Sequence, residues 1–397
     1  MRRIVAAVAV CAVVTIDGPA KAGHYLSPFG LRALHVRAQS KPRARDLGVP
    51  FEGMPGPLNA ITDVAGVEVG MTTLISGNGA LDVGTGPVRT GVTAILPRGK
   101  ASKDQVFAGW FSMNGNGEMT GTTWIEEAGF LEGPVLITNT HSVGVVRDAS
   151  IKWSVEHGIA SQAWSLPVVA ETWDGFLNDI NGFHVKPDHV FAALDGAASG
   201  RVAEGNVGGG TGMICYGFKC GSGTASRRLD TRAGGYTVGV FVQANHGTRS
   251  LLRIAGVPIG EEIPQTPANR DELGSIIIVV GTDAPLLPHQ LKRIARRAAL
   301  GLGRTGAASG NGSGDIFVAF STANRGAAAQ PQEAQVTMVS NARISALFEA
   351  TVQATEEAIV NALVAGETMT GIDGHRVEAL SHDALRQALR KYNRVAR

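Results

Sequence analysis

The sequence predicts one globular domain that combines buried strands with amphipathic helices, and three observations lead to it. Ile276-Ile277-Ile278-Val279-Val280 is an unbroken apolar run between Ser275 and Gly281, which reads as a strand buried on both faces rather than wetted on one. After Pro288, Leu291, Ile294, Ala295 and Ala298 fall on one face of a helix and Lys292, Arg293, Arg296 and Arg297 on the other, solvated face. Composition is the third: 397 residues, 44% hydrophobic and 18% charged, with no repeat, linker or low-complexity block, suit a single core.

From the start of the chain, Met1-Arg2-Arg3, the apolar stretch Ile4 to Ile16 and Ala20-Lys21-Ala22 have the basic start, short apolar core and small-residue exit of a secretory signal. The stretch is too short to span a bilayer. A signal peptide over 1–22, a mature chain from Gly23 and a periplasmic location without membrane attachment are expected. Residues 23–45 are basic and aperiodic, an expected exposed lead-in. Turn residues then give way to a strand ending at Gly70, and Thr90 to Leu96 form a second strand that Pro97 ends. Asn114 to Glu118 is a turn cluster that opens either a short helix or a pocket wall. Pro134 to Thr138 is a buried strand, and an apolar strand from Leu166 carries Glu171, Trp173 and Asp174 at its exit. Those three positions suit a pocket, with capping as the alternative for Asp174. The glycine-dense stretch Gly205 to Met213 lacks the order of a phosphate loop and reads as close backbone packing beside a site. Thr237 to Gln243 is another strand, leading to Asn245-His246-Gly247. Thr282 and Asp283 supply capping oxygens ahead of the Pro288 helix, and Gly301-Leu302-Gly303 closes it. Asn341 to Ala365 is a long amphipathic helix and Ser381 to Lys391 a short one.

The chemistry centres on Ser275, the first residue of its strand. If the Gly274–Ser275 bond were cut, Ser275 would carry a hydroxyl beside a free α-amine, whose pKa of roughly 7.7–8.0 leaves it partly neutral. Nucleophile and base then come from one residue. Gly274 suits such a cut, because glycine takes strained backbone readily. Taken alone, though, Gly-Ser before a strand is a common strand start. Asn245, at its strand end, suits either a turn or donation to an oxyanion. If 313–315 are extended, Ser313 and Asp315 share one face. His141 and Ser142 point to opposite faces of an extended segment and so make no nucleophile–base pair; His141 reads as a hydrogen-bonded loop residue. A net charge of +2 with scattered cations offers no nucleic-acid surface. Cys215 and Cys220 leave a disulfide open. No zinc spacing is present and no cofactor is expected.

Six stretches together carry a resemblance: Arg-Ala-Arg-Asp-Leu-Gly (43–48), Leu-Asn-Ala-Ile-Thr-Asp-Val-Ala-Gly-Val (58–67), Gly-Gly-Gly-Thr-Gly-Met (208–213), Gly-Ser-Ile-Ile (274–277), Pro-His-Gln-Leu (288–291) and Asn-Gly-Ser-Gly-Asp (311–315). The chain resembles, over residues 43–365, the self-processing aminopeptidases of the DmpA type, which include L-aminopeptidase/D-amidase-esterases and bacterial β-peptidyl aminopeptidases. The resemblance implies the α+β class, as a four-layer α-β-β-α sandwich like N-terminal-nucleophile hydrolases but differently connected, and a homo-oligomer. It implies self-cleavage at Gly274–Ser275 of a single domain, 23–397, into subunits 23–274 and 275–397. By motif, Ser275 is the nucleophile, Ser313 assists it with Asp315 as acidic partner, Asn245 lies on the oxyanion side and Glu171 holds the substrate ammonium. Trp173 stands where a relative has a pocket tyrosine, which removes one hydroxyl.

The implied substrates are short peptides and amino-acid amides or esters. Preference among α-L, α-D and β residues is set by pocket shape, where one methylene is worth roughly 1–3 kcal/mol. Two alternatives differ in kind. An acyltransferase of the ornithine acetyltransferase type resembles a threonine-nucleophile enzyme, against which Ser275 argues, and a periplasmic binding protein would stay one chain.

Overall fold

The computed structural model describes residues 41–160, 162–264, 274–330 and 332–396. The expected signal and most of the expected lead-in lie outside the described residues. Two sheets and a short ribbon are built, in chain order, from β1 (Glu68–Ser76), β2 (Val88–Leu96), β3 (Val106–Gly115), β4 (Phe130–Leu131), β5 (Val135–Asn139), β6 (Val168–Thr172), β7 (Ile214–Cys215), β8 (Phe218–Lys219), β9 (Ser222–Arg228), β10 (Thr237–Asn245), β11 (Ser275–Thr282) and β12 (Gly314–Ser321). The helices around them are α1 (Thr122–Ala128), α2 (Val143–Glu156), α3 (Pro187–Asp195), α4 (Ile259–Glu262), α5 (Pro288–Arg304), α6 (Ser345–Val364) and α7 (His382–Lys391).

One sheet has the order β1-β2-β5-β6 and the other β4-β3-β12-β11-β10-β9. The Ser275 strand explains how they stack. Ile277 and Val279 pack with Phe241 and Phe320 of their own sheet against Ile95 and Ile137 of the other. Ile276, Ile278 and Val280 point the opposite way, toward Leu291, Ile294 and Ala298 of α5 and Ala354 and Ala358 of α6. On the far side, Val92, Ala94 and Leu136 of the first sheet meet Val146 and Trp153 of α2 and Val190 and Leu194 of α3. The layers therefore run helix, sheet, sheet, helix, the expected sandwich. Burying the five residues Ile276 to Val280 is worth on the order of 10 kcal/mol, comparable to the whole net stability of a domain. The strand's register is accordingly firm.

Several local expectations change in detail. The first strand runs past Gly70 to Ser76. Thr282 and Asp283 do not cap α5: the Thr282 hydroxyl donates to the Thr237 carbonyl at 2.7 Å and Asp283 accepts from the Thr237 N–H at 2.8 Å. The Gln290 side chain instead accepts from the Leu287 N–H at the helix start. Gly301 does not end the helix but packs against α6, where a Cβ would lie 2.6 Å from both Thr355 and the Val352 carbonyl. The basic face of α5 is only partly solvated, because Arg297 lies 3.9 Å over the Phe348 ring and Arg296 5.5 Å over Phe111. Cys215 and Cys220 are joined by a disulfide, with Cα atoms 5.7 Å apart. It closes the β7–β8 ribbon.

The described end of the lead-in is fastened rather than exposed. Arg43 forms a two-pronged pair with Glu204, and Arg45 one with Glu357 at 2.7 and 2.8 Å. Glu357 is fully buried on α6 and also receives Arg227 at 2.7 Å and the Asn59 amide at 2.6 Å. Burial opposes its charge, yet the hydrogen bond from Arg45 and the charge of Arg227 hold its carboxyl below the usual range. Removing one partner of such a pair strands the others, so Glu357→Gln is expected to cost roughly 3–5 kcal/mol at neutral pH, read as a lower urea midpoint. A depressed carboxyl contributes stability above its unfolded pKa and loses it as pH falls through the folded value. The gap between wild type and variant should therefore close in acid, and a constant gap would contradict this account.

Candidate active site

The site forms where strands from both sheets end together. β11 runs antiparallel to β10 and parallel to β12, which sets Asn245 opposite Ser275 and Asp315 opposite Ile276. Side chains alternate along a strand, so Ser275 shares the inward face with Ile277 and Val279, and Asn245 shares it with Phe241 and Gln243. Gln243 crosses to the other sheet, donating to the Thr138 carbonyl and the Thr172 hydroxyl at the ends of β5 and β6.

Ser275 is 5% exposed, and its hydroxyl oxygen accepts the Gly314 N–H at 3.0 Å. The flanking pair is joined as their spacing suggests: the Ser313 hydroxyl donates to Asp315 Oδ1 at 2.7 Å, and the same oxygen accepts the Ile276 N–H at 3.2 Å. Gly314 leaves no room for a side chain, since a Cβ would lie 2.4 Å from the Asn116 carbonyl. Gly274 is equally constrained, for a different reason than backbone strain. A Cβ there would come 1.8 Å from the Asn245 carbonyl, and its φ is not in the left-handed region.

The Asn245 amide is fixed at both ends. Its Oδ1 accepts the Ile214 N–H and its Nδ2 donates to the Trp173 carbonyl, each at 2.8 Å. One Nδ2 hydrogen remains for a substrate oxygen. The glycine-dense stretch lies alongside, where a Cβ on Gly209 would meet Gln243 at 2.1 Å. Close backbone packing beside the site is thus what those glycines provide.

Glu171 is 3% exposed at the end of β6. Oε1 accepts the Glu118 N–H at 3.0 Å and Oε2 accepts the Thr140 hydroxyl. Burial pushes its carboxyl above the usual range, and those two hydrogen bonds oppose the shift. Gly117 stands between this carboxylate and the nucleophile's support, as a Cβ there would be 3.2 Å from Glu171 Oε1 and 3.1 Å from the Gly314 Cα. The turn cluster leaves β3 and opens the short helix α1, Thr122–Ala128, and it packs its backbone between Glu171 and Gly314. Trp173 is 39% exposed and its indole lies against Gly175.

Other expectations fall differently. Asp174 is buried away from the opening and accepts from the Asn178 amide at 3.0 Å; burial pushes it up to about 7. His141 lies in a single 3₁₀ turn, Thr140–Ser142, is exposed, and stacks on Phe183 with ring centres 6.0 Å apart. His246 is buried edge-on to Tyr216, neither ring nitrogen has a hydrogen-bond partner among the described residues, and burial pushes it down to about 3. It is neutral at working pH. Among the described residues no group of three or more His, Cys, Asp or Glu is placed to hold a metal. Sequence reasoning missed Gly117, Glu118, Thr140 and Ile214, which act through backbone groups or a single hydroxyl; only the turn-rich composition near 114–118 marked that region.

The chain is similar to known proteins over most of its length. The β-peptidyl aminopeptidase BapA of Sphingosinicella microcystinivorans is 58% identical over 371 residues, covering 89% of this chain and 93% of that one. Its counterpart from Sphingosinicella xenopeptidilytica is 53% identical over 88% of this chain and 91% of its own. Among solved structures, the L-aminopeptidase D-Ala-esterase/amidase of Ochrobactrum anthropi, described as a variant of the Ntn-hydrolase fold, superposes with a TM-score of 0.84 at 50% identity, over 90% of this chain and all of that one. A β-aminopeptidase from a Burkholderia species gives 0.82 at 51%, over 88% and 99%. The model of peptidase family S58 matches residues 59–377, from the turn that precedes the first strand to beyond the longest helix, and this chain belongs to that family.

Proposed function

We propose that the chain cuts itself between Gly274 and Ser275 and then acts as an aminopeptidase whose nucleophile is the freed Ser275. The meeting of the Ser275 hydroxyl, the Ser313–Asp315 pair and the Asn245 amide at one strand end carries this reading. In the first step the Ser275 oxygen attacks the Gly274 carbonyl, the peptide nitrogen leaves as the new α-amine, and water hydrolyses the resulting ester. In turnover the same oxygen attacks the carbonyl of a substrate's first residue. The leaving amine takes the hydroxyl proton, and water then cleaves the ester on Ser275, which frees the first residue as its amino acid and restores the serine hydroxyl. Asn245 donates to the oxyanion in each tetrahedral stage. Glu171 pairs with the substrate's ammonium, which restricts the enzyme to chain ends. Relatives that are β-peptidyl aminopeptidases support substrates whose first residue is a β-amino acid, beside short α-peptides, amides and esters.

Three outcomes are expected. Ser275→Ala should remain one intact, inactive chain by mass spectrometry; a variant that still splits at the same bond would sink self-cleavage by this hydroxyl. Asp315→Asn keeps size but removes charge, and should slow both self-cleavage and the kcat of processed chains by about 10². An unchanged kcat plateau would take Asp315 out of the chemistry.

The third concerns Glu171. A charge-assisted hydrogen bond is worth roughly 1.5–3 kcal/mol, so Glu171→Gln should raise KM for free-amine peptides by roughly 10- to 100-fold. Peptides acetylated at the N-terminus should be poor substrates of the wild type. Because the carboxyl is raised by burial, wild-type KM should climb as pH falls, beginning above the ordinary glutamate range. Equal kcat/KM for acetylated and free peptides would refute the assignment.

A further inference from the structure

Lys219 is fully buried, and its ammonium meets no carboxylate among the described residues. Its Nζ donates to two backbone carbonyls, Met213 at 2.9 Å and Cys220 at 2.6 Å. A buried cation without a counter-charge is costly, while a methionine of similar length would take this donor from two backbone carbonyls, of which Met213 O keeps the Cys220 N–H at 3.3 Å. Satisfying those carbonyls is one role for the lysine, and its position supplies a second. The Met213 carbonyl belongs to the same peptide unit as the Ile214 N–H, and in a trans peptide these two groups point in opposite directions. That N–H is the one that holds Asn245 Oδ1.

We propose that Lys219 is a positioning residue for the oxyanion donor: it polarises the Met213–Ile214 peptide, which fixes and strengthens the Asn245 amide. The chain of contacts runs Lys219 Nζ to Met213 O at 2.9 Å, Ile214 N–H to Asn245 Oδ1 at 2.8 Å, and Asn245 Nδ2 to the Trp173 carbonyl at 2.8 Å. A donor at one end and an acceptor at the other admit only one orientation of the amide. Linked hydrogen bonds polarise one another, so electron density drawn toward Nζ makes each successive N–H a better donor. The last is the second Nδ2 hydrogen of Asn245, the residue paired with Ser275 across the strands. Burial pushes the Lys219 pKa well below the usual range, but the nitrogen donates two hydrogen bonds whether or not it is protonated. The platform is stiff as well: Ile214 pairs with Lys219 across the β7–β8 ribbon, which the Cys215–Cys220 disulfide closes.

The inference rests on reading Asn245 as the oxyanion donor, and the test separates the two. Processed wild type and Lys219→Met are compared on an aminoacyl p-nitroanilide, with two inhibitors: the aminoalkyl boronic acid that matches the substrate, whose boron binds the Ser275 oxygen and presents a tetrahedral oxyanion, and the free amino-acid product. Losing an oxyanion donor outright costs about 10²–10³ in kcat, and weakening one should cost less. The expected result is a fall of about tenfold in both kcat and boronate affinity, with KM and product inhibition unchanged. Equal boronate affinity in the two proteins, or equal losses for boronate and product, would overturn the relay. A wild type that ignored the boronate would instead refute the roles of Ser275 and Asn245. Should Lys219→Met not fold or not self-cleave, the wild-type chain with Ile214 replaced by its α-hydroxy acid removes the same N–H while keeping Lys219. The same split is expected, and unchanged boronate affinity would overturn the proposal.

Discussion

The site depends on the register of β11 between its two neighbours. Antiparallel pairing with β10 places Asn245 across from Ser275, and parallel pairing with β12 brings the Gly314 N–H to the serine oxygen. A slip of one residue would turn every side chain to the other face, sending Ser275 toward the helices and Ile276 into the pocket. What resists the slip is far from the chemistry. Ile277 and Val279 fit the space between the sheets, and Ile276, Ile278 and Val280 fit against α5 and α6. The strand is thus specified on both faces by burial, and the reactive group is carried to its place by hydrophobic packing.

This division explains which parts were legible in the sequence. The buried strand was readable because its evidence is local, five β-branched residues in a row. The Ser313–Asp315 contact was readable too, because residues two apart in an extended chain share a face. Asn245 opposite Ser275 was not readable from local pattern, since nothing near either residue says which strands pair or in what register. The strand-end position left a turn or oxyanion donation open for Asn245, and the resemblance chose between them. Asp174, at the same strand exit, is 1% exposed, and the turn that follows folds the Asn178 amide back onto it, a contact the strand pattern does not contain. At Gly274 the expected backbone strain is absent, and the obstacle to a side chain is the Asn245 carbonyl across the sheet, which a reading of the chain alone does not contain.

Burial also sets the electrostatics. Glu171 and Glu357 are both enclosed carboxylates, yet their titration moves in opposite directions. Glu357 is met by Arg45, Arg227 and Asn59, and stays charged as a structural tie. Glu171 is met by one backbone N–H and one hydroxyl, and no cation is hydrogen-bonded to it among the described residues. An enclosed carboxylate with partial satisfaction suits a cation that arrives from outside, which is the role proposed for Glu171. The difference between a tie and a binding group would then be whether the protein supplies the counter-charge itself.

In the proposed function, self-cleavage and turnover place different demands on Ser275. Before the cut its nitrogen is a peptide amide and has no basicity, so the first reaction proceeds without the base that the second gains. What is available to both is the set of contacts already in place: the Gly314 N–H on the serine oxygen, and the Ser313 hydroxyl turned toward Asp315. A donor on the oxygen stabilises developing alkoxide, as hydrogen bonds to a charged form do. A hydroxyl that has given its own hydrogen to a carboxylate keeps its lone pairs for another proton. An anion near the new amine favours the ammonium, which would hold back an amine acting alone. With its hydrogen bonds from Ser313 and Ile276 converging on one oxygen, Asp315 in the proposed function serves the reaction through Ser313, and one arrangement suffices for both steps.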